Sequence, residues 1–272
     1  MIIKTNGGIS VLSAFVNGFG AAASIVLPMF TEINLSDEDS FYGKAIEDTV
    51  NFMRDKFFLT GKYSINIKSN IPQGMGLKSS SAMTLSIVFG ILKINNIEIA
   101  PDELLKIAAE ASIENNTSIT GAIDDLSIAY FGGFCFTDNR KNVILSKNKI
   151  EEKYIILEIG GEKIKTNEIG NRNFSGYNNY YNEILKLIKN DYIYEAMMLN
   201  GLTFSDGEDI PVINKMLSTG AIYAGRSGKG PAIFGIYDNG NSMENSFKEL
   251  QESGYQVIKS RFNNNGIDIL EQ

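Results

Sequence analysis

An α+β chain in two units is what this sequence predicts, on three observations. Helical and strand-like stretches alternate without the even spacing of βαβ units, which argues against a parallel-sheet fold. A polar stretch, "SKNKIEEK", interrupts the pattern near residue 150, and a fresh strand follows it. The length, 272 residues, suits one large or two ordinary domains. The units are therefore placed at residues 1–150 and 151–272.

Each element has its own reason. "KYSINIKS" (Lys62 to Ser69) sets Tyr63, Ile65 and Ile67 against Ser64, Asn66 and Lys68, the period of a half-buried strand, and Pro72 and Gly74 end it. From Ser79 to about Ile94 runs a helix whose strongly polar interior residues are Thr84, Ser86 and Lys93. Such a helix is apolar on nearly every side, so it is buried and its N-terminus is a fixed point in the core. Pro101 to Asn116 form a second helix, with proline in the first turn and Asp102 and Glu103 behind it, as the helix dipole favours. "TGAIDDLSIAYFGG" (Thr120 to Gly133) is a loop leading into a short helix stopped by paired glycines. "GGFCFT" and "KNVILS" make a hairpin, and "KYIILEIG" (Lys153 to Gly160) starts the second unit. Two or three helices are expected between Tyr177 and Leu217. The strand "AIYAG", the loop "RSGKGP", the strand "AIFGIY", a helix from about Ser242 to Ser253 and the strand "YQVIKSRF" complete the order.

Composition narrows the chemistry. A hydrophobic content of 43% with 21% charged residues is that of a globular chain rather than a disordered one. No apolar run reaches the roughly 18 residues of a membrane helix, and "MIIKTNGGIS" lacks the parts of a signal peptide. A cytoplasmic protein is expected. The one cysteine, Cys135, forms no intrachain disulfide and sits in apolar "GGFCF", where a buried, inert thiol is expected. There is no histidine, so His-based triads, His-ligated zinc and imidazole acid–base chemistry are excluded. Catalysis here must use carboxylates, lysine, hydroxyls or a hard metal ion. A net charge of −7 argues against broad binding of nucleic acid or anionic membrane. Positive charge is instead concentrated locally, with Lys78, Arg226 and Lys229 in glycine-rich loops.

The stretch "IPQGMGLKSSSAMTLSIVFGIL" (Ile71 to Leu92) places glycines, a lysine and three serines at the mouth of the buried helix. A helix N-terminus exposes unpaired N–H groups and about half a positive charge, which suits an anion. Gly74 and Gly76 let backbone amides approach phosphate oxygens, and Lys78 adds a full charge. Ser79, Ser80 and Ser81 can cap the helix, donate to phosphate or hold Mg²⁺. The spacing is not that of a Walker loop. "GAIYAGRS" (Gly220 to Ser227) comes near that pattern, but its interior is strand-like and "GKGPAIF" after it cannot open a helix.

The stretch "PQGMGLKSSSA" resembles the phosphate loop of the GHMP kinases, the superfamily of galactokinase, homoserine kinase, mevalonate kinase and phosphomevalonate kinase. Most members show P-x-x-x-G-L-G-S-S-A, and the lysine in "GLKSSSA" is similar to the archaeal-type shikimate kinases among them. "TGAIDDLSIAYFGG" resembles their T-G-A-[FL]-D-D segment, and "GRSGKGPAIFGIY" the superfamily's C-terminal glycine motif. "GGISVLSAFVNGFGAAASIVL" runs parallel to the family's opening more loosely, and the four segments occur in the family's order from about residue 7 to 237.

The resemblance implies the two-domain GHMP kinase fold, with ATP between the central loop and the C-terminal glycine loop. It also implies transfer of the γ-phosphoryl group to the 3-hydroxyl of shikimate, with homoserine or mevalonate as alternative acceptors. Gly74, Gly76, Leu77, Lys78, Ser79, Ser80, Ser81, Gly228 and Lys229 are then the expected nucleotide-binding residues. Gly225, Gly228 and Gly230 would let the two loops pack, with Arg226 and Lys229 in reach of phosphate. Ser80 is the expected hydroxyl on Mg²⁺, and Glu110 in "KIAAEASIE" the expected metal carboxylate, with Glu114 one turn later as its rival. Asp124 and Asp125 are the catalytic candidates. Counting forward from Gly121 favours Asp124, counting back from Gly132 favours Asp125, and Asp124 is chosen narrowly. The opening segment lacks the lysine beside a proline-glycine pair found in mevalonate kinases, so no lysine is expected to assist the aspartate. A substrate carboxylate would want a basic residue, for which Lys4, Arg140, Lys165 and Arg172 are candidates.

Overall fold

The structure is a computed structural model, and it describes residues 1–161 and 177–271. Its first part is a six-stranded antiparallel sheet. β1 (Ile2–Leu12) and β2 (Phe19–Ser36) form a long hairpin. The far half of β2 pairs with β3 (Lys62–Ser69), and its near end pairs with β4 (Phe134–Asp138), which carries β5 (Val143–Asn148) beyond it. Four helices cover this sheet: α1 (Lys44–Phe57), α2 (Ser79–Ile94), α3 (Pro101–Glu114) and α4 (Ile123–Phe131). α2 and α4 lie on β1 and β2, while α1 and α3 close over α2 from outside. That sandwiching is why α2 can be apolar all round: Leu85, Ile87, Val88, Ile91 and Leu92 are all buried. Gly90 permits the close approach, since a Cβ there would stand 2.7 Å from the Ile33 side chain and 2.8 Å from that of Ile3.

The second part is a four-stranded antiparallel sheet. It is made by β6 (Tyr154–Glu158), β7 (Tyr223–Arg226), β8 (Ile233–Tyr237) and β9 (Val257–Arg261), in the order β7-β8-β6-β9. α5 (Asn178–Lys189), α6 (Ile193–Phe204) and α7 (Asp209–Ser218) are the helices expected between Tyr177 and Leu217, and α8 (Gly240–Glu252) follows. α7 and α8 pack on this sheet, whereas α6 lies against both β7 and β1. One hydrophobic cluster accordingly runs from Ile9 and Leu12 of β1 through Ile184 and Met197 to Phe234 of β8. The chain then returns: β10 (Asp268–Glu271) pairs with β1, with Ile2 facing Glu271.

Three features were not among the expected elements: the β1–β2 hairpin, α1 and β10. β1 carries "NGG" in its middle, a sequence that reads as a breaker. The structure uses those residues for a register shift between Asn6 and Gly8 and for close approach. A Cβ on Gly7 would stand 2.8 Å from the Leu77 carbonyl, and one on Gly8 would collide with Ile128. The glycines thus let the loop before α2 rest directly on β1, where the Gly8 N–H donates to Leu77 O at 3.2 Å.

Candidate active site

The end of β1, the loop before α2, the start of α4 and the loop between β7 and β8 enclose one cavity. Gly74, Gly76, Leu77, Lys78 and Ser79 to Ser81 line it, as do Asp124, Asp125 and Lys229. It also receives residues that the sequence reading had not singled out, chiefly Ser10, Ser13, Asn139 and Ser227.

The loop before α2 turns through three left-handed residues, Gly74 (φ 74°), Gly76 (φ 75°) and Lys78 (φ 70°). Its carbonyls are taken by neighbours: Met75 O by the Ala232 N–H at 3.2 Å, Gly76 O by Ser227 Oγ at 2.9 Å and Leu77 O by Gly8. In a trans peptide the next N–H points opposite to the carbonyl. The amides of Gly76, Leu77 and Lys78 therefore turn away from these partners. No side chain caps α2, and its first backbone bond runs from Ala82 N–H to Lys78 O at 3.1 Å. The amides of Ser79, Ser80 and Ser81 are thus those a helix start offers to an anion.

Lys78 is the residue whose placement the sequence did not foretell. Its Nζ donates to Ser10 Oγ at 2.6 Å and lies 3.0 Å from Asp125 Oδ1. The expectation that no lysine assists an aspartate is thereby corrected: the phosphate loop itself supplies the lysine. Burial pushes the Asp125 carboxyl up to about 7, against the opposing pull of Lys78 and with a further push from neighbouring Asp124. Asp124 is held otherwise. Its Oδ1 accepts from Asn139 Nδ2 at 2.8 Å, Asn139 in turn accepts from Thr137 Oγ1 at 2.6 Å, and a Cβ on Gly20 would stand 2.6 Å from Asp124 Oδ2. Neither aspartate caps α4, whose N-cap is Ala122. Of the two catalytic candidates, Asp125 is the one beside the cation and Asp124 the one held by Asn139.

Of the three glycines expected to let the two loops pack, Gly230 does so, whereas Gly225 faces Gly201 of α6. A Cβ on Gly76 would stand 2.7 Å from the Gly230 Cα and 2.8 Å from Ser227 O. Ser227 ties the loop to β1 as well, accepting from the Ser10 N–H at 3.4 Å. Gly228 lies behind the cavity wall, against the hydroxyls of Ser10 and Ser13. Lys229 reaches the cavity with its ammonium 3.7 Å from the centre of the Phe15 ring. Arg226 does not: its guanidinium pairs with Asp206 at 2.9 Å and Asp209 at 2.8 Å and donates to Gly230 O at 2.8 Å. It braces the loop from outside instead of meeting phosphate.

Glu110 is also elsewhere. It pairs with Lys56 at 2.6 Å on the half-exposed outer side of α3 and does not line the cavity. Glu114 lies in a separate surface groove with Asp48, Asp55 and Lys56. Among the described residues no three acidic or sulfur-bearing side chains gather as a metal site. Of the cations considered for a substrate carboxylate, Lys4 lies six residues back along β1 from Ser10, opposite Asp268, roughly 20 Å away at about 3.3 Å per strand residue. Arg140 is chelated by Asp138 at 3.0 and 3.2 Å and stacks on Phe19. Lys165 and Arg172 lie outside the described residues. No helix is long and apolar enough to cross a membrane, among the described residues.

The family GHMP kinases N terminal domain matches residues 44–133. The shikimate kinase of Thermoplasma acidophilum is 33% identical over 97% of this chain and 96% of its own length. That of Pyrococcus furiosus is 31% identical over 91% of this chain and 95% of its own. The fold matches the Methanococcus jannaschii mevalonate kinase with a TM-score of 0.78 at 21% identity, covering 97% of this chain and 98% of that one. It matches a putative homoserine kinase of Listeria monocytogenes with a TM-score of 0.76 at 14% identity, over 100% and 99%. With relatives at 31–33% identity matched along nearly their whole length, the chain belongs to the archaeal-type shikimate kinases of the GHMP kinase superfamily.

Proposed function

We propose that this protein transfers the γ-phosphoryl group of ATP to the 3-hydroxyl of shikimate. The observation that carries the reading is the Lys78–Asp125 pair, 3.0 Å apart, in the same cavity as the uncapped start of α2. The relatives matched along their whole length are named shikimate kinases, which selects the acceptor.

The roles follow from charge and position. The amides from Gly76 to Ser81 cradle the ATP phosphates, and the glycines keep side chains out of their way. Asp125 takes the proton of the acceptor hydroxyl as the new O–P bond forms and the bond to the ADP oxygen breaks. A carboxyl near 7 is half ionised at neutral pH and basic enough to accept that proton. Lys78 partly offsets the burial that favours the protonated acid and holds Asp125 in place, with Ser10 fixing the ammonium. Asp124, clamped by Asn139, orients and does not transfer protons. Phosphoryl transfer depends mainly on alignment and charge neutralisation, and alignment alone can supply about 7–11 kcal/mol.

Mg²⁺ fits this cavity, because it keeps phosphate and water oxygens in its shell and asks the protein for only one or two oxygens. Ser80, the second residue of α2, would hold it beside the phosphates; Glu110, which does not line the cavity, would not. When bound, the ion neutralises phosphate charge. A soluble cytoplasmic enzyme with the units 1–150 and 151–272 completes the proposal, binding ATP and a small molecule and neither nucleic acid nor membrane. The test is ADP release measured with shikimate, homoserine, mevalonate and galactose in turn. Turnover with shikimate alone is expected; turnover with another alcohol and none with shikimate refutes the assignment.

A further inference from the structure

We infer that Ser13 reads a second hydroxyl of the acceptor and so helps decide which alcohol is phosphorylated. The inference rests on the proposal that the acceptor is shikimate, a ring with three hydroxyls. Ser13 stands one residue beyond β1, is 5% exposed and borders the cavity. Its Oγ has no hydrogen-bond partner among the described residues. A buried hydroxyl left in that state is costly, and a ligand group that completes it removes the cost. Looseness does not explain the missing partner. The Ser13 N–H donates to Asn200 Oδ1 at 3.2 Å, and Asn200 is fully buried on α6. Two neighbouring serines are occupied: Ser10 Oγ by Lys78, and Ser227 Oγ by the Gly76 carbonyl.

Position and surroundings indicate what Ser13 would meet. The hydroxyls of Ser10 and Ser13 lie 2.8 and 3.1 Å from the one point where a Cβ on Gly228 would stand. Ser13 is therefore beside the serine that holds Lys78 against Asp125, the proposed base. Its neighbours in the wall are Ala14 and Phe15, whose ring lies under the Lys229 ammonium. A neutral hydroxyl bordered by Ala14 and the Phe15 ring, with the Lys229 ammonium stacked on that ring, matches an alcohol on a carbon ring, since both partners can donate and accept. A phosphate would call for charge or backbone amides, which the α2 end of the cavity supplies.

The experiment compares kcat/KM for shikimate, 4-deoxyshikimate and 5-deoxyshikimate in the wild type and in Ser13→Ala. The wild type is expected to lose about 10-fold on one of the deoxy analogues, and Ser13→Ala about 10-fold on shikimate. On that same analogue Ser13→Ala should lose almost nothing, because the hydroxyl it would have bonded is gone. The ATP KM should not change. Equal losses on all three acceptors, no loss on shikimate, or a shift confined to ATP KM would overturn the inference. Should Ser13→Ala fail to fold, the wild-type arm stands alone: equal use of shikimate and both analogues refutes a hydroxyl reader. A wild type inactive on shikimate but active on another alcohol instead sinks the acceptor assignment itself.

Discussion

Replacing Lys78 by methionine tests the lysine–aspartate pair most directly. Methionine keeps the unbranched stem, one atom shorter, and like lysine must hold φ near 70°, so the backbone of the loop is asked for nothing new. What disappears is a positive charge 3.0 Å from Asp125, in a place where both side chains are largely buried (13% and 15% exposed). An opposite charge at such a distance holds a carboxyl down by about 1–3 pH units. Asp125, near 7 with its partner, should therefore move to between about 8 and 10 without it. The sign follows: the base must be ionised, so activity rises with pH through the carboxyl's value, and the variant's rise comes later. At pH 7 the ionised share would fall from about half to between about 10% and 0.1%, a loss in kcat of about 5- to 500-fold. The assay is kcat for shikimate from pH 6 to 10 at saturating ATP. The expected result is an acid limb displaced upward by at least one unit, with much of the activity recovered at high pH. A uniform loss with the limb unmoved, or an effect confined to ATP KM, would show that Lys78 serves the nucleotide and that the pairing with Asp125 is incidental.

Three more outcomes are expected. Because the folded chain keeps Asp125 protonated up to about 7 while the unfolded chain releases that proton near 4, the wild type loses stability as pH rises between those values; the Tm advantage of Asp125→Asn should grow from pH 4 to 7 and then level off, and a constant difference would contradict it. In Gly230→Ala the new methyl meets the Gly76 Cα and the Met75 carbonyl, so overpacking should cost about 1–3 kcal/mol by denaturant melt and raise the ATP KM. Glu110→Ala removes a half-exposed ion pair worth about 0–1 kcal/mol, so its kcat and Mg²⁺ dependence should stay within about twofold of the wild type; a large rise in the Mg²⁺ requirement would restore Glu110 as a ligand.

Much of the scaffold could be read from residue pattern alone, because it depends on neighbours in the chain. The uninterrupted apolar run after Ser79 requires a buried helix, and α2 occupies Ser79–Ile94 as expected. Alternation at Tyr63, Ile65 and Ile67 gave β3 its full extent. What residue pattern could not supply shares a cause: it depends on contacts far apart in sequence. The glycines of β1 look like breakers until the loop at Leu77 and the Ile128 side chain are laid against them. Glu110 has the right type and a plausible spacing, but the face of α3 that carries it packs toward Lys56 of α1. Arg226 sits between glycines as a phosphate ligand would, yet Asp206 and Asp209, some 20 residues earlier, claim it. Choosing between Asp124 and Asp125 needed the 47-residue span from Lys78 to be closed in space, which no motif count supplies.

The return of β10 to β1 has a consequence for how the protein is made. β1 leaves the ribosome at the start of synthesis, but its outer neighbour is encoded some 260 residues downstream. At about 5–20 residues per second, that edge waits roughly 13–50 s for its cover. Lys4, facing Asp268 across the finished pair, places a charge on the waiting edge, a device that discourages strand-to-strand association. The strand that leads to Ser10 and Ser13 is thus among the first laid down and the last to be closed.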